Sequence, residues 1–331
     1  MATSLPPAPG HGVADGAPLI GRYAGSPAQF DWRGLRAPWQ HGPLWTRLHH
    51  KRWHYVGIAS SELFIGLAIV DLGWTATAFA YLFDRAQGRL LGDWSQDALP
   101  GLQVQIADAP LHGARARFRG LGSRLQLEEA RGQLQLAVDV RGLKVQATLD
   151  LPTAPPLLAI GPIDGGSVHG TVKTTAMKIK GWAEAGGRRF ALDQALAALD
   201  ASNGLLARHT AWRWASAHGK NIGLNLQQGY FGTQENALWL DGDLIPLGAA
   251  HFEFDPAHPM QPWRIHTADG LLDLQFTPEG LRAEDRNLLI AASHYVQPIG
   301  RFNGWVRAAP GAPQRTVADL LGVTEDHRSR W

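Results

Sequence analysis

The sequence contains no cysteine. That excludes a disulfide scaffold, thiolate-bound zinc, an iron–sulfur cluster and a thiol nucleophile. Net charge is almost absent too, since 31 Lys and Arg against 29 Asp and Glu leave +2 over 331 residues. So weak a field argues against a general nucleic-acid binder, and no nucleic-acid partner is expected. Charged residues are only 18% of the chain and apolar ones 45%, which separates it from disordered sequences. Several motifs are missing: G-x-G-x-x-G, a phosphate loop ending in G-K-[ST], G-x-S-x-G and H-E-x-x-H. Dinucleotide, ATP, α/β-hydrolase and zinc-protease readings lose their support, and no cofactor is expected. His49, His50 and His54 cluster, as do His251 and Glu253, but neither group has a recognised metal spacing, so no metal is expected. What the chain has in excess is indole, with 13 Trp against 5 Tyr.

Residues 1–20 hold four Pro and three Gly with no Lys or Arg. They lack the basic start and the apolar block of about 7–15 residues that a signal peptide needs. They read as a flexible N-terminal arm, and a cytoplasmic location follows as the default. The most apolar stretch, 56–83, is long enough for a membrane helix, which takes roughly 20 residues. It carries Glu62 and Asp71 and the breakers Gly57, Gly66 and Gly73. Its β-branched and aromatic residues suit two buried strands with a turn near Asp71-Leu72-Gly73. No transmembrane segment is therefore expected, while peripheral membrane contact and oligomeric state stay open.

The middle of the chain is the most legible. Leu134-Gln135-Leu136-Ala137-Val138-Asp139-Val140 alternates, and after Arg141-Gly142 the pattern resumes with Leu143, Val145, Ala147 and Leu149 on one face. Alternation on both sides of a two-residue turn predicts a β-hairpin with one wet face. Ala114-Arg115-Ala116-Arg117-Phe118-Arg119 repeats this with arginines outward. Further strands are expected at 101–107, 123–128, 173–183, 210–217, 222–228, 237–240, 251–255, 271–276, 280–284 and 300–306. Leu192, Leu196 and Leu199 ahead of Asn203-Gly204 predict a short helix at 193–202. Thr316 as N-cap, Asp319 and Gly322 predict another at 316–321. The tryptophans fall six before residue 95, one at Trp182 and six from Trp212 onward. The expected fold is mainly β: two lipocalin-like antiparallel barrels or curved sheets packed together, with one or two short helices. The units are placed at 21–190 and 191–310, followed by a tail at 311–331 with its short helix.

Tyr23-Ala24-Gly25-Ser26-Pro27, Phe30-Asp31-Trp32-Arg33-Gly34-Leu35-Arg36 and Lys51-Arg52-Trp53-His54-Tyr55 together resemble a bacterial family known as domain of unknown function 2804. The same order continues with Asp200-Ala201-Ser202-Asn203-Gly204, Thr210-Ala211-Trp212-Arg213-Trp214-Ala215, Gly223-Leu224-Asn225-Leu226 and Leu272-Asp273-Leu274-Gln275-Phe276. That family implies no established activity. More distantly, the order His169, Asp200, Trp212-Arg213-Trp214, Tyr295 and Gly300 is similar to the carotenoid hydratases and to tocopherol cyclase. The resemblance implies paired lipocalin-like barrels, no cofactor and an Asp that protonates an isoprenoid double bond. The chain departs from that pattern at Ala198, where a Tyr stands in the group, and at Thr171, where an aromatic does. It also implies an extended 195–201, against the helix that propensity predicts.

Asp200, between Leu199 and Ala201, is the candidate acid, because burial lets a carboxyl keep its proton near neutral pH. The alternative is a turn Asp that bonds backbone N–H groups ahead of Gly204. His169 is its candidate partner, and Lys173, four residues on, shares its side of an extended strand. Glu235 is a second candidate acid. Asn221 and Asn225 alternate with aliphatic residues, so their amides are candidates for a ligand's polar head. Trp212 with Trp214, and Lys51 with Trp53 and Tyr55, share faces at period two and are candidate cavity lining; core filling is the alternative. The expected partner is an apolar small molecule or lipid. The function is then either a cofactor-free hydratase, cyclase or isomerase, or a lipid carrier or sensor. A structural or protein-interaction β-module is the third class.

Overall fold

The computed structural model describes residues 4–288 and 291–330. The chain opens with β1 (Val13–Ala14), β2 (Ala17–Pro18), β3 (Gly21–Ala24) and α1 (Pro43–His49). There follow β4 (His50–Ala59), β5 (Leu63–Asp71), β6 (Ala76–Asp84), β7 (Arg89–Ala98), β8 (Val104–Ile106), β9 (Arg115–Gly120), β10 (Ser123–Ala130), β11 (Gln133–Val140) and β12 (Leu143–Asp150). Next come β13 (Leu157–Pro162), β14 (Val168–Lys173), β15 (Met177–Ala185), β16 (Arg188–Ala191), β17 (Leu196–Leu205), β18 (His209–Gly219) and β19 (Ile222–Gly229). The last are β20 (Ala237–Leu240), β21 (Asp243–Pro246), β22 (Ala250–Glu253), β23 (Trp263–Thr267), β24 (Leu272–Leu288), β25 (Ala291–Val306) and β26 (Arg315–Arg330).

The fold is mainly β, with one nearly closed barrel and one half-barrel. The barrel runs β7-β6-β5-β4-β17-β15-β12-β11-β10-β9-β8, and β14, β13 and β3 branch from β17. The half-barrel runs β21-β20-β19-β18-β26-β25-β24-β23-β22. The chain passes from one to the other between Leu205 and His209. Residues 6–24, mostly within the stretch expected as an arm, make backbone bonds of their own: Ala8 N donates to Ala24 O, Ala24 N to Pro6 O, and β3 pairs with β13.

The alternating hairpin of β11 and β12 forms as its sequence predicts, turning between Val140 and Leu143. Leu134, Leu136, Val138, Leu143, Val145 and Leu149 are buried in the barrel core, while Gln135, Lys144 and Gln146 face water. The stretch 56–83 behaves differently. Its turn at Asp71-Leu72-Gly73 is present, with Gly73 N donating to Asp71 Oδ1 at 2.8 Å. However, a second turn follows Ala59, so the stretch holds parts of three strands, not two. Ile65, Leu67 and Ile69 enter the barrel core. Phe64, Ala68, Tyr81 and Phe83 pack outward against Trp214, Ile299, Leu321 and Val323 of the half-barrel. Strands buried on both faces lose their alternation, which is why this stretch mimics a membrane span. No helix among the described residues is long and apolar enough to cross a membrane.

Two helix expectations are corrected. Residues 193–202 supply most of β17, which pairs with β4 along its length, from Leu196 opposite Ala59 to Leu205 opposite His50. Residues 316–321 belong to β26 and lie along β25. In both, ladder bonds to other strands override a local helical spacing. The helix among the described residues is α1, with Pro at its start and no buried residue, so it carries no apolar stripe to betray it.

Val323 pairs with Ser216 on one side and Ile299 on the other. Val323→Pro removes a ladder N–H in mid-sheet and is expected to destabilise the protein by about 1–3 kcal/mol from the orphaned carbonyl alone, read from the urea midpoint. An unchanged midpoint would contradict the strand.

Candidate functional site

The outer face of the barrel and the facing side of the half-barrel do not close completely. From the barrel come Trp53 and Tyr55 on β4, Ala68 and Val70 on β5, Phe79 on β6, Lys173 on β14 and Asp200 on β17. From the half-barrel come Trp212 and Trp214 on β18, Tyr295 on β25, and Glu325 and His327 on β26. Tyr230 and Glu235 reach in from the loop after β19. Together they line a cavity of about 110 Å³. Register fixes the rows: Asp200 lies opposite Lys173 on one side and Tyr55 on the other, and Trp214 lies opposite Glu325.

Three ionisable groups meet at one end of this cavity. Lys173 Nζ lies 2.6 Å from Asp200 Oδ2 and 2.9 Å from Glu235 Oε2. Ser202 Oγ sits 3.2 Å from Asp200 Oδ1 and 3.0 Å from Thr171 Oγ1. Burial disfavours the lysine's charge, yet the two carboxylates outweigh it and hold its pKa above the ordinary value. Glu235 is pushed up by burial and by the charge of Asp200, with Lys173 only partly opposing. A carboxyl group that holds its proton more tightly than usual therefore stands beside a second carboxyl group and an amine.

The aromatic wall is pinned from behind. Trp212 Nε1 donates to Glu325 Oε1 at 2.8 Å, and Gln297 Nε2 donates to Glu325 Oε2 at 2.9 Å. Trp214 Nε1 donates to Asn225 Oδ1 at 2.9 Å, and Asn225 Nδ2 donates to the backbone oxygen of Glu235 at 2.8 Å. The indole edges are thus satisfied, leaving ring faces for a ligand. Tyr55 meets Trp214 edge-on at 5.5 Å.

Among the residues singled out from sequence, Asp200, Glu235, Lys173, Trp53, Tyr55, Trp212 and Trp214 line this cavity. Asn225 supports it from behind. His169 is fully buried but turned elsewhere: its Nε2 lies 3.4 Å from Tyr230 Oη, and its ring packs on Trp53 and Phe231 at 5.7 and 4.6 Å. Burial, with a smaller push from Lys173, drives its pKa down to about 3. Lys51 lies outside the cavity lining, donating to Leu48 O at 2.7 Å and Leu72 O at 2.6 Å, its pKa lowered by burial to about 8. Asn221 is exposed just ahead of β19. Tyr230, Glu325 and His327 also line the cavity without being singled out in the sequence, and Tyr295 enters there only in an ordered motif. Glu325 and His327 alternate at period two, a signal concealed by treating the end of the chain as a helical tail. No cluster of three or more metal-binding side chains occurs among the described residues.

Lys173→Met leaves two buried carboxyl groups without their cation, at an expected cost of about 3–5 kcal/mol at pH 7 by chemical denaturation. A carboxyl whose pKa rises on folding favours the fold most below its ordinary 4.5, and this support falls as pH rises from there. The penalty of Lys173→Met is therefore expected to shrink on acidification. A penalty that grows instead would contradict the assignment. His169 has the opposite sign: its depressed pKa supports the fold above 6.5, and that support is lost as pH falls toward about 3. Its imidazole carbon shifts are expected to stay constant from about pH 8 to 4.5 in NMR spectra, where an accessible histidine titrates.

No curated protein matches this sequence. Three solved structures share the fold at low identity. A chain from Nitrosomonas europaea provisionally named AttH is 15% identical, with 88% of this chain and 96% of that one covered and a TM-score of 0.58. Kievitone hydratase from Nectria haematococca is 9% identical, with 89% and 93% covered and a TM-score of 0.53. CghA with Sch210972 is 12% identical, with 99% and 98% covered and a TM-score of 0.63. The family described as "Domain of unknown function (DUF2804)" matches residues 30–331, and the chain belongs to it.

Proposed function

We propose that the protein is a cofactor-independent acid–base enzyme that isomerises, hydrates or cyclises an unsaturated apolar substrate held between its two sheets. The observation that carries this reading is Lys173 clamped between Asp200 and Glu235 at the edge of an aromatic cavity. Burying ionised groups costs several kcal/mol per ion before pairing repays it. A cavity that only stores a ligand has no use for that expense. The fold shared with kievitone hydratase is in keeping with it.

In this reading the acid is Glu235 rather than Asp200. Glu235 gives its proton to one end of a substrate double bond, and the developing cation faces the rings of Trp212, Trp214 and Tyr55. Asp200 takes a proton from the neighbouring carbon in isomerisation, or from the water that adds in hydration. Lys173 then passes a proton to Glu235 and recovers one from Asp200, which restores the starting state without oxidant or reductant. His169, buried and neutral, holds Tyr230 and Trp53 in place and does not partner Asp200. The mostly aromatic walls favour a second reading, a carrier of the same ligand without chemistry.

Native mass spectrometry and solvent extraction of the purified protein are expected to release a bound apolar molecule. Incubated with farnesol in D₂O, the protein is expected to exchange hydrogens beside the double bonds for deuterium, seen by NMR. Glu235→Gln is expected to slow this exchange by about 10²-fold or more, while Trp214→Ala mainly weakens binding. Farnesol bound without deuterium uptake would leave the carrier.

A further inference from the structure

The cavity does not end at the acid–base chamber. Val70, Phe79, Tyr295 and His327 also border a second chamber of about 160 Å³ that reaches Leu72 and Trp74. The row of Asp200 runs through Tyr55 and Ala68 to Phe79. Leu72 lies two residues past Val70, which borders both, so the second chamber extends the first by about 7 Å along the strand.

Charge distinguishes the two chambers from a site for anions. The first holds three carboxyl groups, Asp200, Glu235 and Glu325, against one lysine that is already clamped by two of them. The second holds Arg282 and Arg330 with Asp97 and Glu284. Arg282 is itself committed: it donates to Asp93 and Glu284, each at 3.0 Å, and its guanidinium lies 4.5 Å over the Phe79 ring. An incoming carboxylate or diphosphate would meet two arginines matched in number by two carboxyl groups in one chamber and excess negative charge in the other.

Building on the acid–base function above, we infer that the substrate is a long, electrically neutral molecule, with its unsaturated or hydroxyl-bearing end in the first chamber and an apolar tail in the second. Free fatty acids and prenyl diphosphates are excluded by this assignment. The tail is where affinity comes from, since each buried methylene contributes about 0.8 kcal/mol.

Three probes test it: prenol, farnesol and farnesoic acid, titrated at pH 8 against tryptophan fluorescence or by calorimetry. Farnesol is expected to bind at least about tenfold more tightly than prenol and than farnesoic acid. Thr77→Trp and Ser293→Trp fill the second chamber from opposite walls, so either one suffices if its thermal melt shows a folded protein. Each is expected to cut farnesol affinity about tenfold and leave prenol within about twofold. Farnesoic acid bound as tightly as farnesol, or plugs that weaken both alcohols equally, would overturn the inference. If deuterium exchange into farnesol persists in that case, the acid–base function stands and only the neutral, tailed substrate falls. If no probe binds and no exchange occurs, both fall.

Discussion

On β5 the side chains Ile65, Leu67 and Ile69 point into the barrel, while Phe64 and Ala68 on the opposite face meet the half-barrel. Apolar burial on both faces of β4, β5 and β6 is the constraint from which the rest follows. It makes the seam between the two sheets dry, and a dry seam admits polar groups only when they are paired. The Tyr81 ring lies over Gly66 with no room for a Cβ, and its hydroxyl reaches Gln297 across the seam. Gln297 in turn holds Glu325, and Glu325 holds Trp212. The Tyr81–Gln297 bond thus ties the barrel to a network inside the half-barrel and adds direction to apolar packing, which has none.

The same dryness supplies the chemistry. Glu235 holds its proton more tightly than an exposed glutamate because water is kept from it, and Lys173 holds its charge because Asp200 and Glu235 are aimed at it. The rings of Trp212 and Trp214, their N–H groups already bonded, complete the chamber. In open water none of these groups would differ from an ordinary side chain.

Legibility in the sequence tracked how much of each element's environment was local. The hairpin of β11 and β12 was readable because one face is wet and the other buried, and its turn is two residues long. Strand β17 was not, because its partners are β4 and β14, far away in sequence, and Leu192, Leu196 and Leu199 happen to fit a helix. The distant hydratase resemblance pointed to the extended form at 195–201, and the strand bears it out. Misreading β26 had a larger consequence, because it concealed Glu325 and His327. Period-two reasoning brought Trp53, Tyr55, Trp212 and Trp214 to one cavity. It could not say where a strand stops. Asn221 shares parity with Asn225 but falls before β19 begins, and Lys51 shares parity with Tyr55 but serves two backbone carbonyls instead.

Lys173 and Asp200 come from the barrel, whereas Glu235 comes from the loop between β19 and β20 of the half-barrel. The charged cluster is therefore complete only when the two sheets are docked. Asn225 tightens this dependence, since one amide bonds both the indole of Trp214 and the backbone of Glu235. Position of the acid, orientation of the aromatic wall and exclusion of water are thus consequences of one packing event. A substitution that loosens the seam outside the cavity lining, at Ile299 or Val323 for instance, acts on all three together. One confined to Glu235 acts on the proton alone. That difference lets assembly be separated from chemistry in a fold where the two share an interface.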